Sequence, residues 1–166
     1  MRSIDELKNE KGEIDSNAIK QIIPYEAPFL MIDRVLSLDK NKIVAIKNTT
    51  ANEEFFKGHF AGFPIMPGAL MMEGMGQAAT LLIRYNLEKH WEKECLAYKI
   101  KEAKFSAPTF PGDQVKYEVA LLGQDDRGAL MSAKAFVDDK LVAESQMMLA
   151  VVDRKEFRAK ASPVYK

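Results

Sequence analysis

Residues 69–86 read ALMMEGMGQAATLLIRYN, and this stretch decides the fold. It contains no proline and is rich in Ala, Leu and Met, which favour helices. Its apolar residues lie on every side of the predicted helix, and a helix that is apolar all round is normally buried. Pro67 and Gly68 precede it, which is typical of a helix start. The sequence therefore predicts one long helix in the centre of a domain.

The segments around this helix carry strand patterns. Apolar residues alternate along several of them, and short polar connections separate the last three, which is typical of antiparallel hairpins. The predicted strands cover residues 29–38, 42–50, 96–105, 114–122, 129–137 and 141–152. The fold class is therefore α+β, with an antiparallel sheet of about six strands wrapped around the central helix.

The rest of the chain is assigned by its composition. We predict a short helix over residues 18–23, capped by Ser16 or Asn17 and ended by Pro24. Residues 58–68 hold three Gly and two Pro, which predicts a loop. Residues 1–16 form a polar extension that we expect to be loose, residues 17–152 form the domain, and residues 153–166 form a basic tail.

Charge and cysteine content exclude several classes of protein. Lys and Arg number 24 and Asp and Glu number 24, so no excess of positive charge favours a nucleic-acid partner. The single cysteine, Cys95, provides neither an internal disulfide nor a cysteine-based metal site. The longest uncharged run, between Lys57 and Glu73, is too short to span a membrane, and the N-terminal residues do not resemble a secretory signal. We therefore expect a cytoplasmic protein without a membrane partner.

The chain has two histidines, and their settings differ. His90 lies in a charged stretch and is expected to be solvated. His59 lies between Gly58 and the sequence FAG of residues 60–62, where glycines permit close approach of a ligand. A histidine there can accept a proton at physiological pH, which makes it a candidate general base. The alternative, that His59 only hydrogen-bonds to its own loop, stays open on this segment alone.

Glu73 is the only charged residue between Lys57 and Arg84. A carboxyl group on a buried helix tends to keep its proton, and a neutral carboxyl can act as an acid. Gln77 lies one turn further on the same face and could orient the carboxyl. The alternative is that Glu73 only stabilises the N-terminal end of the helix through the macrodipole.

Gly68 adds a third element at the helix start. Its backbone N–H has no partner within the helix and could stabilise a carbonyl oxygen that gains negative charge. A base, an acid and such a donor together suit proton abstraction next to a carbonyl.

The sequence around His59 and Glu73 carries a family resemblance. It resembles the bacterial beta-hydroxyacyl-[acyl carrier protein] dehydratases of the FabZ type over roughly residues 17–152. The residues that carry the resemblance are GHF at 58–60, PIMPG at 64–68, Glu73, Met75 and QAA at 77–79, with further matches at 28–30, 33–35, 104–105, 111–113 and 142–144.

This resemblance implies a hot-dog fold and a dimer, assembled further into a hexamer as a trimer of dimers. Each active site would combine His59 of one protomer with Glu73 of the other. His59, oriented by a backbone carbonyl near Ile65, would remove a proton from C2 of a 3-hydroxyacyl thioester while the Gly68 N–H polarises the carbonyl. Glu73, directly or through a water molecule, would protonate the leaving hydroxyl at C3. No metal or cofactor is implied, because the thioester itself acidifies C2.

The resemblance also implies acyl carrier protein as the partner, in fatty acid biosynthesis. Its acidic surface calls for a basic patch on the enzyme. Two candidate patches are the lysines at 99, 101 and 104, and the basic residues at 154, 155, 158 and 160.

The chain departs from the family pattern in three places. Residues 25–27 are YEA where the family usually has His-Arg-Tyr, residues 60–64 are FAGFP where it has Phe-Pro-Gly-Arg-Pro, and Gly74 and Gly76 replace alanines. These changes leave the base and the acid in place but leave open a specialised dehydratase of a polyketide-like or polyene pathway. A hot-dog acyl thioesterase, in which Glu73 activates water, and a non-catalytic acyl-binding subunit also stay open.

Overall fold

The computed structural model describes residues 3–161. In chain order its elements are β1 (Ile14–Asp15), α1 (Ser16–Ile22), β2 (Arg34–Leu38), β3 (Lys42–Asn48), α2 (Glu54–Gly58), α3 (Gly68–Tyr85), β4 (Lys93–Phe105), β5 (Gln114–Gln124), β6 (Gly128–Val137), β7 (Lys140–Asp153) and α4 (Arg154–Ala161). Short 3-10 turns lie at Asp5–Leu7 and His90–Glu92.

A single antiparallel sheet of seven strands carries the fold, in the order β1-β2-β3-β5-β6-β7-β4. The long helix α3 packs on one face of this sheet, chiefly against β5, β3 and β6. Its buried residues run from Met71 to Arg84 and lie around most of its circumference. Buried and partly exposed residues alternate along β5, β6 and β7, as expected for strands with one face on the core. The predicted α+β sheet around one central helix is confirmed.

The seventh strand lies in a segment that we expected to be loose. Ile14 is fully buried in β1, which pairs with β2, and Ile4 is also buried. Lys8 donates to the carbonyl oxygen of Leu38 at 3.0 Å and to the hydroxyl of Tyr85 at 3.3 Å. The expectation of a loose segment was therefore wrong for residues 3–15, because two apolar side chains and one lysine attach a polar sequence to the core. The division of the chain at residues 16/17 and 152/153 stays a prediction.

Two predicted element ends were also wrong, for local reasons. The cap of α1 is Asp15, whose side chain accepts from Ala18 N at 2.9 Å, so the helix begins at Ser16. The strand predicted over residues 29–38 covers only Arg34–Leu38. The carbonyl of Phe29 and the N–H of Met31 bond to the side chain of Gln77 on the central helix, and residues 29–32 are not part of the sheet.

The region after α3 holds a further correction. His90, expected in solvent, is buried, and neither ring nitrogen has a hydrogen-bond partner within residues 3–161. Its neighbour Arg84 donates to the carbonyl oxygen of His90 at 2.6 Å.

Residues 154–161 of the basic tail form α4, and Arg158 of this helix donates to Glu94 at 2.6 Å. The tail residues 162–166 lie outside the described part of the chain. Among helices within residues 3–161, none is long and apolar enough to cross a membrane.

Candidate active site

His59 follows α2 directly and is held at three points. Its backbone N–H donates to Phe55 O at 3.0 Å, and its carbonyl accepts from Ile65 N at 2.9 Å. Its ring atom Nδ1 lies 3.0 Å from the carbonyl oxygen of Ile65. A carbonyl oxygen can only accept a hydrogen bond, so Nδ1 carries the proton of the neutral ring. The other nitrogen, Nε2, then has a free lone pair, which is the form of histidine that removes a proton.

The helix α2 was not predicted, although it positions His59. It lies just before the glycine-rich loop and is only five residues long, too short for a periodic signal. Glu53, which precedes it, is bound by the buried Lys47 at 2.5 Å from Nζ to Oε1. The Lys47 ammonium also lies 3.8 Å from Asp33. The aromatic ring of Phe60 stacks on the imidazole of His59 with centroids 4.0 Å apart.

Glu73 lies in the second turn of α3, and Gln77 holds its carboxyl group. The amide Nε2 of Gln77 donates to Glu73 Oε1 at 2.9 Å and to Phe29 O at 2.8 Å. The amide oxygen of Gln77 accepts from Met31 N at 2.8 Å. The backbone groups of Phe29 and Met31 thus fix the orientation of the fully buried Gln77 amide, which in turn fixes the Glu73 carboxyl. The predicted orienting contact of Gln77 is present in the structure.

Gly68 is the first residue of α3, and Pro67 before it supplies no side-chain cap. A Cβ atom on Gly68 would lie 2.9 Å from the ring of Phe105, closer than side chains tolerate. A larger residue at position 68 would therefore require the half-exposed ring of Phe105 to move. Phe105 was not predicted as part of the site, because it is distant in sequence from the loop and helix that it meets.

A cavity of about 310 Å³ lies beside Glu73, between α3 and the strands β4 and β7. Gly76, Thr80 and Cys95 are among the residues that line it, whereas His59 is not. Burial raises the pKa of the Cys95 thiol to about 11, so this thiol is uncharged near neutral pH. Of the groups that the structure describes, no cluster of three or more His, Cys, Asp or Glu residues could hold a metal ion.

The chain is similar to known proteins in sequence and in fold. Residues 23–146 match the family model of the FabA-like domain. The chain is 41% identical over 145 residues to the 3-hydroxyacyl-[acyl-carrier-protein] dehydratase FabZ of Koribacter versatilis, covering 87% of this chain and 93% of the relative. It is 38% identical over 143 residues to the FabZ of Solibacter usitatus, with 86% and 88% covered.

Among solved structures, the dehydratase heterocomplex ApeI:P of Xenorhabdus doucetiae superposes with a TM-score of 0.74 at 14% identity, covering 87% of this chain and 97% of that chain. At this identity the likeness shows the fold alone. Together with the family match, it confirms the hot-dog architecture.

The chain belongs to the FabA-like family. Within that family it is an enzyme of the FabZ type, a dehydratase and hence a hydro-lyase, which confirms the resemblance seen in the sequence.

Proposed function

We propose that this enzyme removes water from 3-hydroxyacyl-[acyl-carrier-protein] in fatty acid biosynthesis and releases the trans-2-enoyl thioester. Nε2 of His59 takes a proton from C2, and the electron pair of that C–H bond forms the C2=C3 double bond. The C3–O bond breaks, and Glu73, directly or through a water molecule, gives its proton to the leaving hydroxyl. The N–H of Gly68 donates to the thioester carbonyl and stabilises the charge that develops there.

The observation that carries this proposal is the contact of His59 Nδ1 with Ile65 O at 3.0 Å. It fixes the tautomer of the neutral ring in which Nε2 is the base. Glu73, held by Gln77 at 2.9 Å beside an apolar cavity, supplies the complementary acid. Base and acid of this kind each contribute roughly a hundredfold to ten-thousandfold to a reaction rate.

We further propose that His59 and Glu73 of one site come from two protomers. Within one chain, His59 does not line the cavity beside Glu73. The strand β4 is at the edge of the sheet and exposes Tyr98, Ile100 and Phe105, and a long apolar edge favours pairing with a second copy. The resulting dimers assemble as a trimer of dimers, which light scattering during size exclusion would measure directly.

The mechanism is tested by the hydration of crotonyl thioester, the reverse reaction, followed by the loss of enoyl absorbance. We expect His59→Ala and Glu73→Gln each to lower kcat/KM by at least about a hundredfold. The matched control is Glu54→Gln, the same chemical change at an exposed carboxylate on α2, which should retain the wild-type rate. Turnover close to wild type in either site variant would remove that residue from the mechanism, and release of free thiol would identify a thioesterase instead.

The shared site is tested by mixing the two inactive variants. After exchange of subunits, half of the dimers combine one chain of each variant, and each such dimer regains one complete site. The expected rate is about a quarter of the wild-type rate, because an isologous dimer holds two sites. Absence of any regain after verified exchange would place both residues in one protomer.

The carrier protein docks, in this proposal, at the lysines of β4. Lys99 lines the cavity beside Glu73, which places positive charge near the site. In the competing patch on α4, Arg154 and Arg158 both contact Glu94, which reduces the charge that they present. Lys99→Glu should therefore weaken binding of carrier protein more than Lys155→Glu, as measured by calorimetry.

A carrier-bound substrate and a free, buried Cys95 support a cytoplasmic location.

A further inference from the structure

The buried ammonium group of Lys47 attaches the segment before His59 to the sheet. Lys47 lies near the end of β3, a strand with neighbours on both sides, and its side chain is only 8% exposed. Its Nζ atom lies 2.5 Å from Oε1 of Glu53 and 3.8 Å from a carboxylate oxygen of Asp33. A buried charge is costly unless it is paired, so the ammonium and these carboxylates hold one another in place.

Asp33 is itself fixed by β3, which keeps the ammonium group in one position. The backbone N–H of Asp33 donates to Ile46 O at 2.8 Å, and its carboxylate accepts from Asn48 N at 2.6 Å. These two residues stand on either side of Lys47 in the strand. The sheet therefore sets the position of the ammonium, and Glu53 is the partner that comes from outside the sheet.

Glu53 stands at the start of α2 but does not cap it. It occupies the N-cap position, and its side chain makes no hydrogen bond to the helix backbone, because its carboxylate binds Lys47 instead. A helix of five residues is not stable by itself and depends on contacts with the rest of the fold. The buried side chain of Phe56 fixes one point of α2, and the ion pair fixes a second. The two points together define the direction of the helix.

His59 is attached to the other end of α2. Its backbone N–H donates to Phe55 O at 3.0 Å, so the imidazole moves whenever the helix moves. The loop that follows ends at Met66, whose N–H donates to Thr109 O at 2.8 Å. The segment that carries His59 is thus held at its start by the ion pair and at its end by Thr109.

We propose that Lys47 and Glu53 are positioning residues of the dehydration, whose buried ion pair holds α2 in the direction that aims Nε2 of His59 at C2 of the substrate. The pair acts through the helix, because Glu53 precedes His59 by six residues, about 9 Å at 1.5 Å per residue. Misplacement of a reacting group by about 1 Å can cost about a hundredfold in rate. All these contacts lie within one chain, and the proposal rests on the proposed function, because it takes His59 as the base.

The hydration of crotonyl thioester by the intact enzyme measures the effect on the reaction. Lys47→Met and Glu53→Gln should each lower kcat by about tenfold to a hundredfold, with KM within about twofold of wild type, because only the aim of the base is lost. The matched control is Lys42→Met, the same change in the same strand. It breaks the exposed ion pair of Lys42 with Glu118, 2.7 Å long, and should retain the wild-type kcat.

A second background separates positioning from a general loss of structure. In His59→Ala, the further substitution Lys47→Met should lower the remaining rate by less than about twofold, because no base is left to be aimed. A further loss of about tenfold or more in that background would show that the substitution damages the site by another route, and it would overturn the proposal.

Hydrogen exchange followed by mass spectrometry tests the attachment of α2 without turnover. In Lys47→Met and Glu53→Gln the amides of residues 54–59 should exchange at least about tenfold faster than in wild type, whereas those of α3 should not change. Lys42→Met should exchange as wild type does. Circular dichroism verifies folding, and Glu53→Gln, which keeps an oxygen for Lys47, provides the test if Lys47→Met does not fold.

Failure of the positioning proposal and failure of the proposed function give different results. Wild-type kcat in Lys47→Met and Glu53→Gln, with His59→Ala inactive, would overturn positioning and leave the dehydration mechanism intact. Unchanged exchange at residues 54–59 would overturn the attachment of α2. Wild-type turnover by His59→Ala would refute the proposed base, and the positioning role with it.

Discussion

Gly74 and Gly76 are two glycines of the same helix whose surroundings differ sharply. A Cβ atom on Gly74 would overlap the hydroxyl and ring of Tyr117, a fully buried side chain of β5 that cannot swing aside. A Cβ atom on Gly76 would enter open space. Replacement by alanine gains about 1 kcal/mol of helix propensity at either position. Only Gly74→Ala also overpacks the core, which costs typically about 1–3 kcal/mol.

The gain in helix propensity is the same for both variants. The difference between their free energies of unfolding therefore measures the clash with Tyr117 alone. We expect Gly76→Ala to be more stable than wild type by up to about 1 kcal/mol, and more stable than Gly74→Ala by about 1–3 kcal/mol. Urea unfolding followed by circular dichroism, at one fixed protein concentration because the protein is expected to dimerise, measures both values. Equal destabilisation by the two substitutions would refute this reasoning and would show that a partner subunit fills the space at Gly76.

Three further predictions concern buried polar groups. Gln77→Leu removes the partners of Phe29 O and Met31 N, so it should lower the free energy of unfolding in urea by roughly 2–5 kcal/mol. It should also lower kcat, because Glu73 loses its orienting contact. A kcat equal to that of wild type would contradict the positioning role. The Cys95 thiol, whose pKa burial raises to about 11, should react with a disulfide reagent at pH 8 roughly a hundredfold more slowly in the folded protein than in urea, and comparable rates would show that it is accessible. Burial, and then the charges of Arg84 and Arg154, lower the pKa of His90, so the unfolded state binds its proton first as pH falls. The stability that neutral His90 contributes is complete above its unfolded pKa of about 6.5 and decreases below it, and His90→Leu should flatten the loss of unfolding free energy between pH 7 and 5; an unchanged slope would assign that loss to other groups.

The sequence by itself determined the central helix and most of the strands, and it predicted the candidate site residues. Residues 69–86 are apolar on all sides, so this helix had to be buried, and Glu73 was conspicuous as its only early charge. Gln77 could be predicted as its partner because helical spacing places residues four apart on one face. These signals are local, since each depends on residues within about one or two turns of the chain.

Only the tertiary structure decided which distant segments meet. The order of the sheet, with β3 beside β5 and β4 at the edge, depends on pairings between residues far apart in sequence. The same is true of the Phe29 carbonyl that binds Gln77, 48 residues away. The polar segment before α1 and the charged stretch around His90 looked solvated, yet Ile4, Ile14 and His90 are buried. The composition of a segment describes how readily its residues are solvated. Whether a side chain is buried depends on which distant segments pack over it, and no local sequence pattern contains that contact.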